Sequence, residues 1–383
     1  MGTLFDYVNW RGDLTFSEAP FNEVDNLIFS LLSYLNFSGI VPQEHSDAAI
    51  PIKAAANSFL SKNPDLRKFS MGLIVPKEII LLCRAIKDTR RFANVEMRAF
   101  VNKIDTKREM QFSAITFFPG DGSMLVTYRG TDDTIVGWKE NFNMSYLPVV
   151  PAQLEAASYL NRAAKTFPDC PIYVNGHSKG GNLAVYAAVH TDEENKARIK
   201  RVWNNDGPGF KKDILSTPAY LQMRPNIQTL LPESSVVGML LKHEENYTVI
   251  KSKQTGLLQH NGLTWEVMGN SFIHLKNVTQ ESRQLDRDLN EWISMMTPEQ
   301  CEQFTDSLYK ILSSDNAMTL SDLASAKNKW LKRSQNLDPL VHKTIRKTLS
   351  CLMNVSLKNR LGGMLPQKKG EGNVPTVPPE KKP

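Results

Sequence analysis

The sequence predicts an α/β fold, in which a mostly parallel central sheet is flanked by helices. Two observations carry this prediction. Strand-like runs alternate with helical patterns between about residues 112 and 250, and strands that are separated by helices usually pair in parallel. The chain of 383 residues is also long enough to bury a large core.

The N-terminal part, from Phe16 to about Lys103, has a mainly helical pattern, and "FNEVDNLIFSLLSYLNF" is its clearest amphipathic stretch. A β-hairpin is predicted next. Its two β-rich runs, residues 112–118 and 123–128, flank the turn sequence "PGDG".

The alternation continues with "AQLEAASYLNRAAKTF", which predicts a helix. The strand "PIYVNG", the helix "GGNLAVYAAVH" and the strands "RIKRVWNND" and "NYTVIKSK" follow in order, and "TWEVMG" is expected to form a further strand. These segments supply the parallel part of the sheet.

After about residue 277 only helical patterns remain. One helical face is predicted to carry Leu285, Leu289 and Trp292. A second helix begins at "TPEQ", where Thr297 as N-cap and Gln300 form a capping box. Its apolar stripe is expected to consist of Phe304, Leu308 and Ile311.

Charge and cysteine content exclude several classes of protein. The net charge is +6, and much of that excess lies in residues 358–383, so the body is near neutral and predicts no nucleic-acid groove. The four cysteines form no C-x-x-C pair, which argues against a zinc site or a disulfide framework, and no metal or cofactor is expected. With neither a signal-peptide pattern nor a membrane-span pattern, we expect a cytoplasmic protein.

The stretch "YVNGHSKGGNLAVYAAVH" places Ser178 between a predicted strand and a predicted helix, within the pattern G-x-S-x-G. A tight strand-to-helix turn would hold this serine in strained backbone geometry, and a Cβ at Gly176 or Gly180 would clash with the turn. The start of the helix would add free N–H groups near a developing oxyanion. We therefore expect Ser178 to be a nucleophile; the alternative is a helix cap in a packing turn.

A second signal is "YRGTDD", which follows the second strand of the hairpin. In an α/β-hydrolase this loop supplies one oxyanion donor, and the residue after the nucleophile supplies the other. Thr131, through its N–H and hydroxyl, and the N–H of Lys179 are the predicted donors. A polar loop in which Arg129 caps the sheet would explain the same residues.

A serine nucleophile needs a histidine base and a carboxylate, which follow it in the order serine, acid, histidine in this fold. That order and the local context leave three candidates for the base, His243, His260 and His274. We favour His260, because "GLLQHNGLTW" is a loop that follows a strand. His243 is expected to be a solvated ion-pair site and His274 a packed surface residue.

Four other histidines are set aside as the base. His45 precedes the serine, His177 adjoins it, His190 ends the helix that follows it, and His342 lies in the helical C-terminal part.

Asp206 is the predicted acid, because it ends the strand "RIKRVWNND" at the strand edge where functional residues gather. An Asx turn into Gly207 is the alternative reading of this residue. Glu233 is the reserve candidate for the acid.

These segments resemble the class 3 lipases and, more closely, the Mbeg-like family of α/β-hydrolase-fold proteins. The resemblance covers roughly residues 1 to 275 and is carried by "YRGTDDTIVGWKENFNMS", "VNGHSKGGNLAVYAA", "WNNDGPGF", "ESSVVGMLLKHEENYTVIKS" and "QHNGLTW". It implies that Ser178 is the nucleophile, with Thr131 and Lys179 at the oxyanion hole.

Two departures from the lipase pattern stand out. Class 3 lipases usually carry the acid one strand later, where "PESSVVGML" shows Ser234 and Ser235. Lys179 replaces the usual apolar residue, and its ammonium would either attract an anionic substrate or pair with a neighbouring carboxylate.

The sequence predicts a serine hydrolase that cleaves small-molecule or lipid acyl esters, and the alternative is a non-catalytic interaction or regulatory module. We expect an α/β-hydrolase-like domain over residues 1–277, with a mainly helical part over 1–103, then a helical extension over 278–360 and a disordered tail over 361–383. Residues 132–151 would form a substrate-pocket wall, a lid or ordinary core. The C-terminal helices would bind a partner or form a dimer.

Overall fold

The computed structural model describes residues 2–325, apart from 45, 47, 66–67, 73–74, 244, 246, 285–286, 289–294 and 314–316. The predictions for His45, His342, the face formed by Leu285, Leu289 and Trp292, and the tail lie outside these residues. The described part has an α/β-hydrolase-like fold, a mixed sheet with helices on both faces.

Nine strands of the described residues form the sheet, in the order β1-β2-β3-β4-β5-β6-β7-β8-β11. A separate two-stranded sheet pairs β9 with β10. The strands are β1 (Ile50–Pro51), β2 (Glu96–Asp105), β3 (Met110–Phe118), β4 (Met124–Tyr128), β5 (Ile172–His177), β6 (Ile199–Asn205), β7 (Ile227–Pro232), β8 (Tyr247–Ile250), β9 (Val267–Met268), β10 (Ser271–Phe272) and β11 (His274–Leu275).

The helices that connect and cover the strands are α1 (Leu4–Arg11), α2 (Glu23–Leu32), α3 (Ile52–Lys62), α4 (Ile79–Ile86), α5 (Ile135–Tyr146), α6 (Pro151–Thr166), α7 (Lys179–His190), α8 (Glu193–Arg198), α9 (Lys212–Leu215), α10 (Pro218–Met223), α11 (Pro298–Leu312) and α12 (Leu320–Ser325). Short 3-10 turns cover Arg224–Asn226, Gly256–His260 and Gly262–Thr264.

Strand direction divides the sheet into a parallel centre and antiparallel edges. Strands β4 to β8 pair in parallel, whereas β1 to β4 and the β8–β11 pair are antiparallel. The predicted hairpin is confirmed as β3 and β4. The predicted helix before "PIYVNG", the elements up to β6, and β8 are also confirmed.

The sequence analysis and the structure differ at three places. The helical assignment fails over residues 96–103, which belong to β2 and pair along much of β3. Strand β7 was missed because its six residues end in proline and carry little alternation. "TWEVMG" contributes only the two-residue strand β9, which lies outside the main sheet.

Side chains that alternate along the strands build one core on each sheet face. On one face, Ile115 and Phe117 of β3 pack with the N-terminal helices α1 to α4. On the other, Phe112 and Ala114 pack with α6 and α7. The N-terminal helices are therefore one of the two layers that cover the sheet.

The C-terminal helix α11 packs against α5. Its capping box is present, since Gln300 N donates to Thr297 Oγ1 over 3.3 Å and Thr297 N donates to Gln300 Oε1 over 2.9 Å. Phe304 and Leu308 are buried, which confirms those two members of the predicted stripe. Lys139 of α5 donates to Asp306 of α11 over 2.6 Å.

A buried ion pair joins α2 to the segment before β2. Arg91 and Asp25 have fully buried side chains, and Arg91 Nε lies 2.9 Å from Asp25 Oδ1. Tyr7 donates to the same oxygen over 2.8 Å. Arg91 also reaches backbone carbonyls before α2, which satisfies most of the guanidinium away from water.

A second buried ion pair lies beyond β7. His243 Nδ1 is 2.9 Å from Glu245 Oε1, and its Nε2 is 2.6 Å from the carbonyl oxygen of Gly238. Burial opposes the charge on His243, but the hydrogen bond and charge of Glu245 outweigh it and raise the pKa of His243. Burial likewise opposes the charge on Glu245, yet its donors lower the pKa to about 2. His243 is thus a buried ion-pair residue, and the prediction that it is solvated was wrong.

We expect Arg91→Met to lower the free energy of unfolding by about 3–5 kcal/mol, because it leaves the Asp25 carboxylate buried without its charge partner. The neighbouring Arg90 provides a matched control, since it pairs with Glu18 at 2.8 Å where both side chains are exposed. Arg90→Met should cost less than about 1 kcal/mol. Urea unfolding measures both values, and equal losses would contradict the prediction.

The His243–Glu245 pair should make stability depend on pH. Because the folded pKa of His243 is raised, its contribution is complete below the unfolded value of 6.5 and is lost as pH rises through the folded pKa. The lowered pKa of Glu245 adds a contribution that is complete above 4.5 and is lost as pH falls toward about 2. The melting-temperature difference between wild type and His243→Gln should therefore be largest between pH 4.5 and 6.5.

The double variant with Glu245→Gln separates this effect from a general loss of packing. In a double-mutant cycle followed by thermal unfolding, the coupling between the two positions should decline as pH rises above 6.5. A coupling that stays constant to pH 9 would show that the pair does not titrate as described.

Candidate active site

Ser178 lies on a sharp turn between β5 and α7. Its backbone has φ 59° and ψ −134°, a conformation that L residues rarely adopt. A Cβ built on Gly176 would lie 2.1 Å from the carbonyl oxygen of Gly180, and one on Gly180 would lie 2.2 Å from that of Tyr128. Only glycine fits at these two positions, as the sequence predicted.

The turn leaves the serine hydroxyl available. Ser178 is half-buried, and its N–H donates to the carbonyl oxygen of Asn205 over 2.9 Å. Within the described part of the chain, its Oγ has no hydrogen-bond partner, so the predicted bond between Ser178 Oγ and a histidine is not formed in this structure. The alternative reading as a helix cap fails, because its side chain makes no capping hydrogen bond to α7.

The favoured base and the favoured acid are in direct contact. His260 Nδ1 lies 2.7 Å from Asp206 Oδ2, although the two residues are 54 positions apart. A carboxylate only accepts hydrogen bonds, so Nδ1 carries the proton and the lone pair lies on Nε2. The Asp206 side chain is 1% exposed and that of His260 is 22% exposed, so the pair runs from the interior toward the surface.

Asp206 follows directly after β6, the strand next to the one that carries Ser178. Its φ of 51° is also in the left-handed region. Its second carboxylate oxygen, Oδ1, accepts a hydrogen bond from Ser235 Oγ. Ser235, which lies in the segment "PESSVVGML", is thus in contact with the predicted acid. Glu233, the reserve candidate, makes no contact with His260 among the described side-chain interactions.

The loop after β4 lies against the serine turn. A Cβ built on Gly130 would lie 3.0 Å from Ser178 Cβ and 2.6 Å from the carbonyl oxygen of His177. The Thr131 hydroxyl donates to Asn141 Oδ1 over 2.9 Å, so its proton is already engaged. The hydroxyl thus bonds to α5 in this structure, and the N–H of Thr131 stays the predicted oxyanion donor.

Arg129 anchors the same loop. Its Nη2 donates to Asp132 Oδ2 over 2.8 Å and to Asn102 Oδ1 over 2.9 Å. Burial lowers the pKa of Arg129, while the charge of Asp132 acts in the opposite direction. The alternative reading of this arginine as a structural anchor of the loop thus describes its side chain.

The backbone N–H and the side chain of Lys179 lie in different environments. As the first residue of α7, it has an N–H without an intrahelical acceptor. Its ammonium is 1% exposed and lies 2.7 Å from Glu140 Oε2. The side chain therefore pairs with a buried carboxylate, which is the second of the two alternatives given for it above.

Glu140 joins three elements beneath the candidate site. Besides Lys179, it accepts from the backbone N–H of Gln111 over 3.1 Å and from that of Ala152 over 2.9 Å. The buried pair therefore attaches the start of α7 to α5, β3 and α6.

Sequence reasoning missed a buried amide cluster formed by Asn26 and Ser30 of α2, Asn175 of β5 and Asn205 of β6. Asn175 Nδ2 donates to the Asn26 carbonyl oxygen over 2.7 Å, and Asn205 Nδ2 donates to Asn26 Oδ1 over 3.0 Å. The sequence did contain a signal for this cluster. The strands "YVNG" and "WNND" carry asparagines at positions where buried apolar residues are usual. The cluster fixes α2 beneath the serine turn.

Three other histidines have their hydrogen-bond partners away from Ser178. His243 belongs to the ion pair with Glu245 described above. His274 Nε2 is 2.9 Å from Glu23 Oε1 at the surface, as expected of a packed surface residue. His190 Nδ1 contacts the Tyr186 carbonyl oxygen over 2.9 Å within α7.

The described residues contain no cluster of three or more His, Cys, Asp or Glu side chains arranged to hold a metal ion. None of the helices in that part of the chain is both long and apolar enough to cross a bilayer.

Comparison with solved structures finds fungal lipases. The Rhizomucor miehei lipase–propeptide complex matches with 16% identity and a TM-score of 0.32, over 44% of this chain and 58% of that one. Yarrowia lipolytica Lip2 lipase matches with 13% identity and a TM-score of 0.33, over 61% and 99%. An MDLA variant from Penicillium cyclopium matches with 9% identity and a TM-score of 0.36, over 67% and 87%. Values this low do not determine chemistry.

No curated protein sequence matches the chain. A family model does, and it covers more than half of the residues, including the serine turn, the loop after β4 and the His260–Asp206 pair. That model is described as Mbeg1-like and matches residues 86–310. The chain belongs to the Mbeg1-like family.

Proposed function

We propose that this protein is a serine hydrolase that cleaves acyl esters through an acyl-enzyme intermediate. The observation that carries the proposal is the hydrogen-bonded pair of His260 and Asp206, which follows the chain order expected after a serine on a strained turn. Ser178 is the proposed nucleophile, His260 the base and Asp206 the acid.

In the proposed reaction, Ser178 Oγ attacks the ester carbonyl carbon while His260 Nε2 accepts its proton. Asp206 keeps the Nδ1–H tautomer in place and stabilises the imidazolium that forms. The N–H groups of Thr131 and Lys179 would donate to the oxyanion of the tetrahedral intermediate. His260 then protonates the leaving alcohol, and water completes the cycle by the reverse sequence.

The surrounding segments have proposed roles as well. We place the α/β-hydrolase-like domain at residues 1–277, with the helical extension after it. Helix α5 begins four residues after Thr131 and is contacted by α11. This arrangement favours α5 as one wall of the acyl pocket, with α11 supporting it from outside.

We expect a fluorophosphonate probe to label the wild-type protein and not Ser178→Ala, because an activated serine displaces fluoride from the probe and becomes phosphonylated. His260→Ala and Asp206→Ala should each slow labelling by about three powers of ten or more. Ser216→Ala is a matched control, since this serine bonds only within its own turn at the surface, and it should label at the wild-type rate. A folded wild-type protein that is not labelled would favour the non-catalytic module instead.

Gly130→Ala should lower ester turnover by about two to three powers of ten while leaving most of the protein folded. The added methyl group would meet the His177 carbonyl oxygen at 2.6 Å, so the loop must move away from Ser178 and carry the Thr131 N–H with it. Initial rates with a p-nitrophenyl ester, together with thermal unfolding, measure the effect. Wild-type turnover in a folded Gly130→Ala protein would remove Thr131 from the oxyanion hole.

A further inference from the structure

The side chain of His177, the residue before the proposed nucleophile, connects two loops of the site. Its Nε2 lies 2.8 Å from the backbone carbonyl oxygen of His260, and its Nδ1 lies 2.9 Å from the Tyr34 hydroxyl. The rings of His177 and His260 face one another with centroids 4.6 Å apart and planes inclined by 34°. His177 is 5% exposed.

These contacts fix the tautomer of His177. A carbonyl oxygen only accepts, so Nε2 must carry the proton, and Nδ1 must then accept from the Tyr34 hydroxyl. Burial, together with the nearby His260, lowers the pKa of His177 to about 3. The ring therefore stays neutral, with the same donor and acceptor, across the pH range in which a serine hydrolase works.

Tyr34 extends the connection to the loop after β4. A Cβ built on Gly130 would lie 2.1 Å from the Tyr34 hydroxyl, so that oxygen touches the backbone of the proposed oxyanion loop. Tyr34 itself is 8% exposed and lies just after α2, in the N-terminal layer. One tyrosine–histidine pair thus meets the oxyanion loop, the serine turn and the loop that carries the base.

Other contacts hold the loop that carries the proposed base at Gln259, the residue before His260. Trp265 Nε1 donates to the carbonyl oxygen of Gln259 over 2.8 Å, and the backbone N–H of Ser234 donates to Gln259 Oε1 over 2.7 Å. These bonds do not involve His177. Its loss should therefore shift and loosen the His260 end of the loop while the fold remains.

We propose that Tyr34 and His177 are positioning residues, which hold the backbone of His260 in register with the serine turn through the Nε2–H to carbonyl hydrogen bond. The catalytic part of this inference rests on the proposed hydrolase function, whereas the loop-holding part does not. Neither residue touches the substrate in this scheme.

The test compares two substitutions that preserve different halves of the histidine. In His177→Gln, the side-chain amide nitrogen occupies about the place of Nε2 and can still donate to the His260 carbonyl oxygen. In His177→Asn, the shorter amide reaches only the place of Nδ1. Tyr34→Phe removes the hydroxyl and keeps the ring. The same two substitutions at His190, which lies at the surface end of α7, are the matched controls.

Fluorophosphonate labelling should slow about 100-fold in His177→Asn, about 10-fold in Tyr34→Phe and less than about 5-fold in His177→Gln. The His190 variants should label like the wild type. If His177 had only a structural role, glutamine would not restore the labelling rate better than asparagine does. Equal rates for the two His177 variants would therefore overturn the positioning role.

Hydrogen–deuterium exchange provides a readout that needs no turnover. Amides of residues 256–264 should exchange about 10-fold faster in His177→Asn and Tyr34→Phe, and near the wild-type rate in His177→Gln. If the wild type is not labelled but exchange follows this pattern, the hydrolase proposal fails and the loop-holding pair stands. If exchange in this loop is the same in all the proteins, including Tyr34→Phe, the pair does not hold the loop and the inference fails.

Discussion

The whole site depends on how closely three strand ends approach one another without side chains between them. A Cβ on Gly181 would lie 2.0 Å from Asn204 Oδ1, and one on Gly207 would lie 2.3 Å from the carbonyl oxygen of Ser178. With Gly176 and Gly180, these glycines let β4, β5 and β6 end at one point. Ser178, Asp206 and the loop after β4 are neighbours because no side chains separate the backbone segments there.

The same crowding places two residues other than glycine at positive φ on adjacent strand ends. Ser178 and Asp206 both adopt this conformation, which costs free energy and persists only where the surroundings over-determine it. The buried amides of Asn175 and Asn205 supply that constraint, since each precedes one of the two strained residues by one to three positions and is bonded to α2. An N-terminal helix thereby stabilises the geometry of a turn that lies about 150 residues later in the chain.

The sequence predicted what local chemistry determines. The serine turn needs glycines at fixed spacing, and Asp206 and His260 each stand where a strand gives way to a loop, so their residue types and order were enough to select two residues that are in contact. It did not predict what depends on distant partners. Tyr34 and His177 are 143 positions apart, and nothing near either residue indicates the other. The burial of Lys179 likewise depends on Glu140, 39 positions away; a carboxylate partner was one of the two predicted alternatives, but the sequence did not indicate which carboxylate.

The distribution of charge around the serine has a consequence for the proposed chemistry. Two buried carboxylates lie close to the turn, Glu140 beneath the start of α7 and Asp206 beside it. An unpaired carboxylate in a low-dielectric interior would oppose the growth of negative charge on a substrate oxygen. Glu140 is instead matched by the Lys179 ammonium. Asp206 shares its two oxygens between Ser235 and His260, and in the proposed reaction His260 would become a cation as the oxyanion forms. Each carboxylate therefore has its countercharge when the oxyanion appears, and the helix N-terminus at Lys179 adds a favourable partial charge to a site that is otherwise balanced.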